Sequence, residues 1–182
     1  MSSTPLGTVN NISIGSGIVY IGDAGITPLT DIGFLGDEGI NLTYETETVA
    51  VTVGFPATPV RQFVSSVTAG LTFQSLEWNL LNFERAVVGT RTLTVSEEIL
   101  AVGLDACPDE VALQVQFCMP CVGDTILINC WRGQTDGALE IGLTNDSPHS
   151  FNYNFALLLA STDWAGTTLP ATEGLFKIIR QF

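Results

Sequence analysis

Basic side chains are scarce in this sequence. One lysine and five arginines stand against 19 acidic residues in a chain of 182, for a net charge of −13. The six cations, Arg61, Arg85, Arg91, Arg132, Lys177 and Arg180, never adjoin. Holding a nucleic-acid backbone needs clustered Lys and Arg, so sequence-specific DNA or RNA recognition is excluded as a function class. Long apolar runs are missing too. The longest, Phe155–Ala160, falls far short of the roughly 20 residues of a membrane-spanning helix, so no membrane partner is expected. Met1–Ser13 has no basic cluster and no apolar block, and no secretory signal is expected there. Apolar residues as a whole are plentiful: 46% of the chain, against 14% charged. Mean hydropathy is +0.35. That is too apolar for a disordered chain, and the length suits one domain.

Catalytic motifs are also lacking. The one histidine, His149, follows Pro148 in a turn-like stretch and reads as an exposed loop residue. There is no G-x-S-x-G, no phosphate-binding glycine loop and no H-E-x-x-H. The acidic neighbours Asp37-Glu38, Glu97-Glu98 and Asp109-Glu110 read as solvated charge, as does the pair Glu45 and Glu47. No enzyme activity and no cofactor are expected. Cys118-Met119-Pro120-Cys121, flanked by Cys107 and Cys130, leaves three readings: reduced structural thiols, a metal or disulfide clip through Cys118 and Cys121, or a redox site. A zinc ribbon carries two such knuckles and a thioredoxin-like site opens a helix. Here a single knuckle joins two strands, which weighs toward structural thiols.

What is present is alternation of apolar with small polar residues, the strand pattern. The expected fold is mainly β: sandwich- or barrel-forming sheets with a long projecting hairpin and one flanking helix. Residues 1–16, small and polar, read as an N-terminal arm, and 17–182 as a single β domain. Gly17–Ile21 is a short strand. Ile40–Val53 runs without Gly or Pro, and its apolar face changes sides near Thr48, as a bulge or a change of neighbours would cause. Gly54–Pro59 is a turn, and Arg61–Phe73 a second long strand. The hairpin 40–75 therefore has a polar face of Asn41, Thr43, Glu45, Glu47, Gln62, Ser66, Thr68, Thr72 and Gln74. Its apolar face holds Phe63, Val67, Leu71 and Phe73. Fourteen extended residues span about 46 Å. A globule of this size is roughly 32 Å across, so the hairpin should project.

Leu76–Val88 reads as a helix with Ser75 as N-cap, Glu77 in the first turn and Gly89 as the stop. Its stripe of Leu76, Leu80, Phe83 and Val87 should cover the apolar face of the hairpin. Further strands are expected at Thr90–Val95, Val111–Phe117, Thr125–Arg132, Leu139–Leu143, Phe151–Leu159 and Leu175–Phe182, about eight in all.

This order resembles the phage tail tube (major tail protein) family: a short opening strand, a long hairpin, then the helix LEWNLLNFERAVV and a run of strands, over nearly the whole chain. The resemblance implies a structural virion protein of the tail, assembled in the host cytoplasm as hexameric rings that stack into a hollow tube. It implies partners of its own kind, with tape-measure, tail-terminator and baseplate or tail-tip proteins, and a sheath if the tail contracts. DNA would pass transiently and non-specifically during ejection. The polar face of the hairpin would line the lumen. Phe55, Pro56, Pro59 and Val60, with the arm, would join ring to ring. Four strands from each of six copies make a wall of 24. At about 4.8 Å per strand its diameter is roughly 37 Å. Side chains leave about 27 Å of that, enough for a duplex about 20 Å wide. Six copies at −13 each carry −78, a wall that repels phosphate.

Two other classes fit the composition. One is an adhesive or ligand-binding β-sandwich, such as a virion decoration or carbohydrate-binding module, using Trp78, Trp131 or Trp164, with Trp164 expected to be the most exposed. The other is a small zinc or redox domain built on the CxxC.

Overall fold

Alternating apolar and polar residues fold here as extended chain wherever the apolar set finds a common face. The structure, a computed structural model, describes residues 17–28, 30–103, 108–118, 123–137, 139–143, 145, 146 and 148–182. The arm expected over residues 1–16 lies outside them. The elements run β1 Ile18–Asp23, β2 Thr30–Asp31, β3 Leu35–Val53, β4 Thr58–Ser75, α1 Leu80–Ala86, β5 Gly89–Leu93, β6 Glu98–Val102, β7 Glu110–Cys118, β8 Thr125–Thr135, β9 Glu140–Gly142, β10 Ser150–Leu157 and β11 Lys177–Gln181. The chain is mainly β, with one helix among the described residues.

Among the described residues, nine strands form one antiparallel sheet in the order β2-β1-β7-β8-β10-β4-β3, with β11 on β8 and β9 on β10; β5 and β6 make a separate pair. Strand β8 is the corner. One of its edges carries β7, and the other carries β11 at Thr125–Asn129 and β10 at Gly133–Thr135. The sheet thus folds over itself without closing into a barrel. Its concave face buries Val19 and Ile21 of β1, Leu113 and Val115 of β7, Phe151, Tyr153 and Phe155 of β10, and Leu71 and Phe73 of β4 in one cluster. At roughly 1.5–3 kcal/mol for each fully buried large side chain, this cluster supplies the main stabilisation.

The helix is shorter than its periodicity suggests. Asn79, not Ser75, caps it, its side-chain oxygen accepting from the amides of Leu81 (3.1 Å) and Asn82 (3.3 Å). Leu76 stays extended because its amide donates to Phe34 (2.8 Å). Glu77 accepts from the Phe34 amide and so holds the β2–β3 link instead of serving a helix dipole. Val87 is already extended and closes the helix before Gly89, which opens β5. Of the expected stripe, Phe83 is buried and packs on Phe151 (4.7 Å between centroids), while Leu80 borders the core. Leu76 and Val87 lie outside the helix. The helix packs against β5, β6, β8 and β10. The aromatic stack Phe83–Tyr153–Phe73 links it to β4.

Five of the six cations are tied down within the chain: Arg85 to Asp23, Arg91 to Glu84 and Glu98, Arg132 to Glu110, Lys177 to Glu173, and Arg180 to Asp124. The Arg132 hydrogen bond holds the Glu110 carboxyl below its ordinary 4.5, against a smaller opposing effect of burial. A carboxylate with a depressed folded pKa stabilises fully above its ordinary value and loses that contribution as pH falls through the depressed one. Glu110→Gln should therefore lower the melting temperature at pH 7, and the gap to the parent protein should shrink steadily between pH 5 and pH 3. A gap independent of pH would contradict this role.

Candidate assembly interface

Beyond the core, β3 and β4 continue as a two-stranded ribbon. From Thr43 to Val53, and from Thr58 to Thr68 except Ser66, every residue is exposed. Eleven residues reach about 36 Å. The turn at the tip, Gly54–Ala57, needs a positive φ at Gly54 (+87°), which glycine adopts without Cβ strain. Phe55 stands on it fully exposed. Pro59 and Val60, expected in the loop, belong to β4. Pro59 faces Thr52, and Val60 is the extra residue of a bulge, an irregularity that accommodates a residue with no amide proton to give.

The register fixes the faces. Near the body, Ile40, Leu42, Tyr44 and Thr46 lie opposite Phe73, Leu71, Ala69 and Val67, continuing the core face. Asn41, Thr43, Glu45 and Glu47 lie opposite Thr72, Gly70, Thr68 and Ser66 on the outer face. Gln74 joins that face through its amide, which donates to Asn152 Oδ1 at 3.0 Å. Eight of the nine residues expected together are therefore together. A bulge at Ser65 then shifts β4 by one residue, since Glu47 faces Ser66 but Thr48 faces Val64. Side chains alternate with a period of two, so one inserted residue exchanges the faces. Gln62 leaves the polar group for the core-side face, opposite Ala50, and Phe63 leaves the apolar group for the outer face, opposite Val49. Phe63 does not reach the helix. It joins Val49, Val51 and Val53 in an apolar patch whose members are 46–58% exposed. The side-swap seen in the sequence near Thr48 falls at the level of this bulge, but the extra residue is in β4: β3 keeps its alternation, and its apolar side chains pass from the core-side face to the outer face.

Two concavities flank the ribbon's base. On the outer face a polar groove of about 430 Å³ is lined by Glu38, Asn41, Gln74, Glu140, Asn152 and Asn154, among others. On the core side an apolar groove of about 640 Å³ lies between Tyr44 and Val67 of the ribbon and Leu159, Leu175 and Phe176. Tyr44 meets Phe176 edge-on at 6.0 Å. The edges are open as well. The outward edge of β3 has no strand partner among the described residues, and β4 is paired on that side only by β10, from Gly70 to Ser75.

The other candidate groups are dispersed. Cys130 is buried, and burial pushes its thiol up to about 12. Cys118 is exposed at the far end of β7, opposite Thr125, whereas Cys130 faces Leu113, so the two thiols are five ladder positions apart. Cys107 and Cys121 lie outside the described residues. Among the described residues, no three His, Cys, Asp or Glu side chains are grouped to hold a metal. The Nδ1 of His149 accepts from the Trp78 indole at 3.4 Å. Trp164 is not the exposed platform expected of it: it packs on Trp131 (4.8 Å between centroids) and is half-buried, whereas Trp78 is the exposed tryptophan. No protein-family model matches the chain, and no curated protein does either.

A two-stranded ribbon without a third strand is marginal in water and should open locally. In dilute solution trypsin should cut first at Arg61-Gln62, ahead of the ion-paired cations. Assembly should suppress that cut. A first cut elsewhere, with the ribbon intact, would mean that the ribbon is stable alone.

Proposed function

We propose that this chain is a structural subunit that assembles with copies of itself, through the ribbon, into rings that stack as a hollow phage tail tube for genome passage. One observation carries the reading: an eleven-residue ribbon exposed on both faces beyond its base, apolar in part on each, with strand edges that have no partner on either side among the described residues. Natural proteins shorten, charge or cover such edges when they must stay monomeric. Here the edge is long, and closure of a ring of copies removes it.

The polar outer face supports the lumen role. It runs from Glu45 and Glu47 across Thr68, Thr72 and Gln74 to Asn152 and Asn154 on β10, the last two opposite Gln74 and Thr72. With β9 beside β10, four strands in a row, β9-β10-β4-β3, share this wall. Hydroxyls and amides offer a phosphate backbone only neutral hydrogen bonds, and the carboxylates and the net charge repel it. The tip, with Phe55 and Pro56, would make the contact between rings. Tape-measure, terminator and tail-tip proteins would be the further partners, in the virion tail.

Negative-stain electron microscopy of the purified chain, taken to high concentration, tests the reading. Regular rings or tubes are expected. Phe55→Asp should leave rings and shorten or abolish tubes. Discrete monomers at every concentration would overturn the reading and favour a monomeric adhesive module.

A further inference from the structure

Arg61 is the exception among the cations. Among the described residues it alone has no carboxylate within ion-pair distance, and its guanidinium rests over the Phe63 ring, 4.8 Å from the centroid. It lies on the outer face of the ribbon with Glu45 and Glu47, which have no cation beside them. The chain's own register sets Arg61 opposite Val51, four residues beyond Glu47. That is about 13 Å along the strand, out of reach.

We propose that Arg61 of one copy pairs with Glu47, and diagonally with Glu45, of a second copy. The setting is an antiparallel ladder between the free edge of β4 and the free edge of the second copy's β3. The proposal rests on the self-assembly reading above and adds its register.

Two independent constraints limit the register to even staggers of four or more, and the side-chain pairing on the core side then favours four. The first is steric. Strand β10 occupies the edge of β4 from Gly70 onward, so the free stretch is Thr58–Ala69. Strand β3 becomes regular at Ile40, after the irregularity that follows Leu35. Setting Glu47 opposite Arg61 brings the second copy's Ile40 level with about Thr68, just clear of β10. A ladder without stagger would put its Thr43 level with Gly70 and drive the residues before it into β10. The second constraint is the pleat. A stagger of four residues is even and keeps each side chain on its face, whereas an odd one sets Arg61 against Thr46 or Thr48 on the other side. In this register Val64 meets Tyr44 and Gln62 meets Thr46 on the core side, while on the outer face Phe63 falls opposite Glu45. A cation directly opposite one carboxylate and diagonal to the next lies within cross-strand reach of both.

Charge reversal tests the register, with assembly read by sedimentation and microscopy and folding checked by circular dichroism. Arg61→Glu and Glu47→Arg should each lower the assembled fraction by about tenfold or more at low salt, and the double reversal should recover most of it. As a second readout, Gln62→Cys together with Thr46→Cys should give oxidative cross-links between copies. Gln62→Cys with Ala50→Cys should link within one. If the parent protein assembles and Arg61→Glu assembles equally well, or the Gln62/Thr46 cysteines fail to link copies, the register is overturned while the tube stands. If the parent protein never assembles, both fall.

Discussion

The ribbon's backbone is the constraint from which the rest follows. Among the described residues, the amide and carbonyl groups along the outer edge of β3, and along β4 before Gly70, have no strand to bond, and beyond Tyr44 and Val67 at the ribbon's base the side chains are exposed on both faces. Within the body every long strand has a neighbour, and one cluster of aromatic and branched side chains fills the fold of the sheet. The ribbon has length without a core. Water can satisfy its backbone groups, but it leaves Tyr44, Val49, Val51, Val53, Phe55, Phe63 and Val64 exposed. Such a surface persists in a folded protein when another surface covers it.

The bulge at Ser65 gives the ribbon two different halves. Toward the body, the apolar face continues the core and the polar face lies outward. Toward the tip, the outer face turns apolar. A lumen wall and a contact surface can therefore occupy the same side of one hairpin at different heights. The six internal ion pairs, made by five cations, fit this division. They fasten the body and leave Arg61, on the distal half, as the cation available to a neighbour.

Much of this was legible in the residues. Alternation marked the long hairpin and most body strands, and the parity change in Ile40–Val53 marked the point where the apolar residues of β3 pass to the outer face. What alternation in one strand does not reveal is which strand holds the extra residue. That residue is in β4, and so alternation alone places Gln62 and Phe63 on each other's faces. The helix is shorter than its spacing suggests for a different reason. Leu76, Leu80 and Phe83 keep helical spacing, but the Leu76 amide is bonded to Phe34, the Glu77 carboxylate is turned to the Phe34 amide, and Asn79 is the better cap. Strands β2 and β6 are short and carry weak patterns, and the role of β8 as a corner depends on long-range pairing that no local signal encodes. The candidate interface was legible as a ribbon too long for its globule. Its unpaired arginine was not, because five similar cations are neutralised only once the chain is folded.

Hydrogen–deuterium exchange of the ribbon amides, compared between dilute and concentrated protein, tests the central claim most directly. On this account the outward amides of β3 and those of β4 between Thr58 and Ala69 exchange fast in dilute solution and become strongly protected with concentration, while the amides of β7 and β10 stay protected throughout. Ribbon amides equally protected at every concentration would mean that the chain satisfies its own edges, and self-assembly through them would be contradicted.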